Sequence, residues 1–294
     1  MDQALFSQAE SELSCSSARP LKSLPPLRDV VARWGIGARK SLGQHFLFDL
    51  NVTRRIVRGA GDLNGVGVIE IGPGPGGLTR ALLESSAREV IAIERDVRCV
   101  QALADLVEVG QRRLRLLEAD ALAVNVCELL PSPRAIVANL PYNIATPLLI
   151  QWLRRSLDFK VMVLMFQKEV AQRLCAQPGK KEYGRLSILT QWRADIEPLF
   201  TVAASAFTPP PKVESMVVKI TPKVSPFEVS WPILEAVTAA AFGQRRKMLR
   251  SSLKPLCDNP LKCLEIVGID PTRRAESLSV DEFLLLARAV SEQI

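Results

Sequence analysis

Two acids and a glycine-rich loop carry the first chemical signal in this 294-residue chain. An apolar, strand-like run, Val66 to Ile71, enters Gly72-Pro73-Gly74-Pro75-Gly76-Gly77, and helical spacing follows. Glycines there let the backbone turn without Cβ clashes and approach a ligand closely, and the helix start offers N–H donors. Gly72, Gly74 and Gly77 satisfy a dinucleotide-binding pattern, with Glu94 near the spacing of its ribose acid. Alone, the loop is a weak signal that also reads as a tight turn. Glu94 closes a second apolar run and Asp120 a third. Carboxyl ends of adjacent strands in a doubly wound sheet line one crevice. Two acids there accept hydrogen bonds from a ribose diol and an exocyclic amine, both of which an adenosine ligand offers. Either acid alone reads better as a helix cap. Both together, behind a glycine loop preceded by Glu70, favour the ligand.

A fourth run ends in Asn139-Leu140-Pro141-Tyr142. An exocyclic adenine amine is a poor nucleophile, because its lone pair is delocalised into the ring. Acceptors on its two hydrogens, an Asn side-chain oxygen and a backbone carbonyl, favour a pyramidal form whose lone pair attacks. Proline fixes φ and brings no competing N–H. Tyrosine offers a flat face for an extruded base. A random Asn-x-Pro-Tyr is also a polar turn, but less convincingly so after a strand of a cofactor-binding sheet. These residues therefore suit methyl transfer to a nucleoside amine.

The elements that must position them follow from the pattern. Val66 to Ile71, Glu89 to Ile93, Leu114 to Leu117, Ala135 to Ala138 and Val161 to Phe166 read as strands buried on both faces. Leu78 to Ser85, Val97 to Val107 and Thr146 to Arg155 alternate with them at helical spacing. This rhythm predicts an α/β fold, a doubly wound, mainly parallel sheet covered by helices. Ser215 to Ile220 reads as a final strand, and Pro222 and Pro226 mark a boundary before a helical remainder. The expected division is a flexible extension over 1–26, a catalytic domain over 27–222 and a small all-helical domain over 223–294.

Composition agrees with a globular protein: 48% of residues are hydrophobic and 23% charged. No run is long enough for a membrane helix. Lys plus Arg number 38 against 31 Asp plus Glu, a net +7 that favours a polyanionic partner. Six cysteines form no CxxC pair, and the single histidine, His45, completes no familiar zinc spacing with them. No metal is expected, and reduced thiols in the cytoplasm are the simplest account. Asp2, Glu10 and Glu12 precede the first base, Arg19, which does not suit a secretory signal.

Taken in order, the motifs resemble the ribosomal RNA adenine dimethyltransferases, within the class I S-adenosylmethionine-dependent methyltransferases. They are Lys40-Ser41-Leu42-Gly43-Gln44-His45-Phe46-Leu47, Glu70 to Gly76, Glu94, Asp120, Asn139 to Tyr142, Gln167 to Arg173, Tyr183 to Ser187 and Phe207 to Ser215. The resemblance covers residues from about 27 to 290. It implies S-adenosylmethionine as cofactor and small-subunit rRNA, or a pre-small-subunit particle, as partner. Two adjacent adenosines in a hairpin near the rRNA 3′ end would be dimethylated, by a monomer, during small-subunit biogenesis. It further implies that His45, Leu47 and Gly72 meet the cofactor, with Glu94 on the ribose and Asp120 on the adenine amine. Asn139 would bridge cofactor and target amine, helped by the Leu140 carbonyl. Pro141 would shape the loop, and Tyr142 and Phe207 would sandwich the flipped adenine. Two methylations of one nitrogen also require room beside Asn139.

His45 departs from the family, which usually has Asn there. An imidazole can replace the amide as a donor, so binding is expected to survive with a pH-sensitivity the amide lacks. Arg245, Arg246, Lys247, Arg250 and Lys254 form an acid-free run, with Lys247, Arg250 and Lys254 expected on one helical face. A charge run is usually a solvated face. Beside the basic stretch Arg28 to Arg58 it reads as a phosphate-contacting surface, with Lys212 anchoring backbone near the extruded base. Three alternatives share some of these features. A large-subunit rRNA methyltransferase of the antibiotic-resistance type shares the cofactor motifs. A non-catalytic assembly or transcription factor would keep the fold and RNA surface, but the intact acids and tetrapeptide count against it. A nicotinamide dehydrogenase lacks a candidate hydride-transfer acid–base residue.

Overall fold

The computed structural model describes residues 21–292. The apolar runs become strands β1 (Phe46–Leu47), β2 (Gly67–Ile71), β3 (Glu89–Glu94), β4 (Leu114–Glu118), β5 (Arg134–Asn139), β6 (Val161–Gln167), β7 (Ala194–Val202), β8 (Phe207–Thr208) and β9 (Ser215–Pro222). Seven of them form one sheet in the order β4-β3-β2-β5-β6-β9-β7. The first five are parallel, and β9 runs antiparallel between β6 and β7. Each expected strand is present, in the class I methyltransferase arrangement.

Strand alternation sorts the core into two layers. Val68, Val90, Val137 and Val163 face one side, where Ile56 and Leu82 of the helices Leu50–Gly59 and Gly77–Leu83 cover them. Ile69, Ile91, Ile136 and Leu164 face the other, under Leu148, Leu149 and Trp152 of the helix Tyr142–Leu153. Because both faces are covered, the central strands read as continuous apolar runs rather than as alternating ones.

The sheet winds outward in both directions from β2, which pairs with β3 on one side and β5 on the other. That reversal is the topological switch point, where a crevice opens beyond the strand carboxyl ends. The glycine loop leaves β2 and the Asn139–Tyr142 peptide leaves β5, so the two meet there. Asp49 and Asp96 cap the helices that follow them, each accepting from a backbone amide two residues on.

β7 was not expected, because Pro198 reads as a break. It is the outermost strand, paired with β9 alone, with an irregularity between Pro198 and Phe200. An edge strand tolerates a residue that donates no N–H. The expected extension over 1–26 falls largely outside the described residues, which begin at 21. Within them, Leu21 and Leu24 pack against the core rather than hanging free. Cys99, Cys127, Cys175, Cys257 and Cys263 are free thiols, and Cys15 lies outside the described residues.

Beyond β9 the chain is helical, with helices Trp231–Gly243, Leu249–Ser252, Pro260–Ile266 and Val280–Ser291. Their core, around Leu234, Val237, Leu264 and Phe283, also takes in Tyr183, Ile188 and Trp192 from the preceding region. The basic run does not form one helical face. The first helix stops at Gly243, and a turn separates it from Leu249–Ser252. Arg245 there is bound to Glu276 at 2.9 Å and to the Lys180 carbonyl at 3.3 Å. Arg246, Lys247, Arg250 and Lys254 remain exposed, as does Lys212.

Candidate active site

One cavity gathers most of the residues singled out by sequence. It is lined by His45, Leu47, Gly72, Glu94, Asp120, Asn139, Leu140, Pro141 and Tyr142, together with Glu70 and Arg95.

The glycine loop shapes its floor. Gly72 turns at φ +68°, and a Cβ there would lie 3.6 Å from the Pro141 ring, so loop and tetrapeptide are neighbours. A Cβ on Gly77 would sit 2.7 Å from the Leu47 carbonyl oxygen. Glycine at that position therefore lets the Gln44–Leu47 segment close over the loop, a role the sequence reading had given wholly to the ligand. Gln44 pins this segment, donating to Asp96 Oδ2 at 2.9 Å and accepting from the Arg39 amide at 2.9 Å. The Arg98 guanidinium beside Asp96 holds its carboxyl down, at about 2.

Glu94, 7% exposed, accepts from the amides of Gly74 (3.0 Å), Arg95 (2.8 Å) and Asp96 (2.8 Å). Burial outweighs these donors and raises its carboxyl above the usual range. Asp120 serves as the cap the sequence allowed, accepting from the Leu122 amide at 3.0 Å, and also pairs with Arg95 at 3.0 Å. Both acids thus hold backbone in place and still line the cavity.

At the end of β5, Asn139 Nδ2 donates to the His45 carbonyl at 3.4 Å. The amide nitrogen is thereby engaged, and Oδ1 is left as the acceptor. Tyr142 starts its helix after Pro141, whose φ of −58° suits a helix entrance. Its hydroxyl lies 2.5 Å from Ser215 Oγ, and its ring stacks on the His45 imidazole with centroids 5.8 Å apart.

Phe207 corrects the sequence reading. Its β8 position pairs with Leu47, its side chain is 2% exposed within the core, and it does not line the cavity. An aromatic facing a covered sheet gains more from apolar burial than from a solvent-facing slot. The reading had mentioned Glu70 without assigning it a role, and it missed Arg95, Gln44 and Ser215. Glu70 had a legible signal: an acid inside a run buried on both faces.

Glu70 also tests whether S-adenosylmethionine fits. It is 1% exposed, and neither carboxylate oxygen has a hydrogen-bond partner in the protein. With Glu94 and Asp120 it makes the cavity acidic, which complements a ligand carrying a sulfonium and an ammonium. The residues present fit that cofactor. Among the described residues, no group of His, Cys, Asp and Glu is arranged to hold a metal ion.

Comparison with known proteins agrees with this cavity. The family model described as Ribosomal RNA adenine dimethylase matches residues 36–292. A protein of Rhodospirillum rubrum named Ribosomal RNA small subunit methyltransferase A is 57% identical over 279 residues, 95% of this chain and 96% of its own. Its namesake from Paramagnetospirillum magneticum is 58% identical over 271 residues, 92% of this chain and 96% of its own. Among solved structures, a dimethyladenosine transferase from Plasmodium falciparum is 29% identical, with a TM-score of 0.74 over 85% of this chain and 98% of its own. The 23S rRNA methyltransferase ErmE, 24% identical with a TM-score of 0.64 over 84% of this chain and 99% of its own, shares the fold.

Proposed function

The chain belongs to the ribosomal RNA adenine dimethylase family, and from that premise we propose which adenosines it modifies and which residues do the work. It is an S-adenosylmethionine-dependent enzyme that dimethylates adenine in small-subunit rRNA. Its targets are two adjacent adenosines of the 3′-terminal hairpin. The observation that carries this reading is the meeting of Glu94, Asp120 and Asn139–Tyr142 in one acidic cavity at the switch point.

When bound there, S-adenosylmethionine supplies an electrophilic methyl group on a sulfonium. Glu94 takes the ribose hydroxyls, Asp120 the adenine amine, and Glu70 faces the cationic end. His45, Leu47 and Gly72 close the cofactor site. Asn139 Oδ1 and the Leu140 carbonyl accept the two hydrogens of the target amine, which favours the pyramidal nitrogen that attacks in line. Pro141 holds this loop, and Tyr142 stacks the extruded base. The rate comes from positioning and from a polar pocket already formed, without a covalent intermediate.

Residues 27–222 form the methyltransferase domain in this reading, and 223–294 a helical domain that meets RNA. Lys212, Arg246, Lys247, Arg250 and Lys254 contact phosphates, giving affinity and register rather than sequence choice. Arg245 instead secures the turn through Glu276. A single copy works in the cytoplasm, on rRNA within a partly assembled small-subunit particle. Among the described residues, no helix is long and apolar enough to cross a membrane.

The test is incubation with methyl-labelled S-adenosylmethionine and small-subunit particles lacking the modification, with large-subunit RNA as control. Dimethyladenosine in the 3′-terminal hairpin is the expected result. Label confined to large-subunit RNA, or bound cofactor without any label, would overturn the assignment.

A further inference from the structure

His45 immediately precedes β1 and Pro209 immediately follows β8, strands whose rungs are Phe46 with Thr208 and Leu47 with Phe207. One step beyond this ladder, His45 Nδ1 donates to the Pro209 carbonyl oxygen at 2.8 Å. The imidazole so held lies against Tyr142, with planes 29° from parallel. Tyr142 is held in turn by Ser215, at 2.5 Å. The two ends of one loop, Pro209 and Ser215, therefore fix two stacked rings that both line the cavity. Phe207, the expected second surface for the base, is packed in the core instead.

We propose that the His45 imidazole is the second stacking surface for the target base, which enters between it and Tyr142. This inference rests on the methyltransferase reading above. At 5.8 Å the resting rings leave no room for a purine between their faces. Tyr142 is anchored at the start of a helix, so the half-buried His45 side chain is the wall that moves, releasing Pro209 as it does. The Asn that the family usually carries here has no ring, so this surface is a property of the present chain. The His45 backbone carbonyl, which receives Asn139, is untouched by side-chain replacement.

The test compares H45N, H45A and H45F in the full chain. An RNA hairpin carrying 2-aminopurine at the target position is bound in the presence of S-adenosylhomocysteine. Aromatic stacking on an extruded base is worth roughly a tenfold effect or more. H45N and H45A are therefore expected to raise KM for small-subunit particles roughly tenfold, with S-adenosylmethionine affinity little changed. The bound 2-aminopurine should fluoresce more brightly in both, having lost a quenching ring, and H45F should restore both readouts. Unchanged KM and fluorescence in H45N, or a loss confined to cofactor affinity, would overturn the proposal. If wild-type protein binds cofactor yet neither methylates particles nor alters the fluorescence, the methyltransferase reading itself falls, and the proposal with it.

Discussion

Tyr142 Oη and Ser215 Oγ lie 2.5 Å apart, tying the loop after β5 to the first residue of β9. Burial pushes the Tyr142 phenol above its ordinary range, so it stays protonated. Tyr142→Phe keeps the ring and removes its hydroxyl, and Ser215→Ala removes the partner. A net hydrogen bond of about 1 kcal/mol predicts a roughly fivefold loss of kcat/KM in each. Because one bond is shared, the double variant should be no worse than either single. Additive losses would mean that the two hydroxyls act separately.

Asn139 acts on the reacting amine, whereas its Nδ2 contact is with the His45 backbone. Asn139→Ala should therefore lower single-turnover methyl transfer by about 10²–10³-fold, the usual cost of one preorganised polar group at the reacting atoms. Calorimetry should show S-adenosylmethionine still bound. A loss found mainly in cofactor affinity would remove Asn139 from the transfer step.

The sheet and most of the site were legible because both rest on local signals. Buried parallel strands leave unbroken apolar runs, and a switch-point ligand leaves glycines and acids at strand ends. What escaped depends on contacts distant in sequence. The Phe207 run matches the family motif, yet the pairing of Leu47 with Phe207 decides which way that ring faces. Gln44 reaches Asp96, and Tyr142 reaches Ser215, across separations that no spacing rule reports. Pro198 misled because a proline says that no N–H is donated, not whether one is needed. At a sheet edge none is.

Gly77 sets two effects against each other. It lies within a helix, where Ala is favoured over Gly by about 1 kcal/mol. A Cβ would, however, lie 2.7 Å from the Leu47 carbonyl and 3.2 Å from Leu27 Cδ1. Backbone yields less than a flexible side chain, so the clash should win. Gly77→Ala is expected to destabilise by about 1–3 kcal/mol, as overpacking does, and to weaken cofactor binding. Gly243→Ala, with no atom within 4 Å of the added carbon, should be neutral or stabilising. Parallel thermal melts decide this, and a Gly77→Ala protein as stable as wild type would mean that the Leu47 segment shifts freely.

Glu70 should make both stability and cofactor binding depend on pH. Burial, the largest cause, raises its carboxyl from 4.5 to about 8; the Thr79 hydroxyl opposes the shift and the Glu94 charge adds to it. Between those values the folded protein holds a proton that the unfolded chain has released. Stability contributed here is therefore present at low pH and falls as pH rises towards 8, by at most about 1.4 kcal/mol per unit. A cationic ligand favours the ionised carboxylate, so S-adenosylmethionine affinity should move the other way. It should rise with pH by up to about tenfold per unit and level off above 8, with a proton released on binding below that point. Glu70→Gln should flatten both slopes and melt higher than wild type at pH 8. Calorimetry in buffers of different ionisation enthalpy counts the released proton, and melts from pH 6 to pH 9 follow the stability. If binding released no proton at pH 7, Glu70 would not be the group that meets the cationic end.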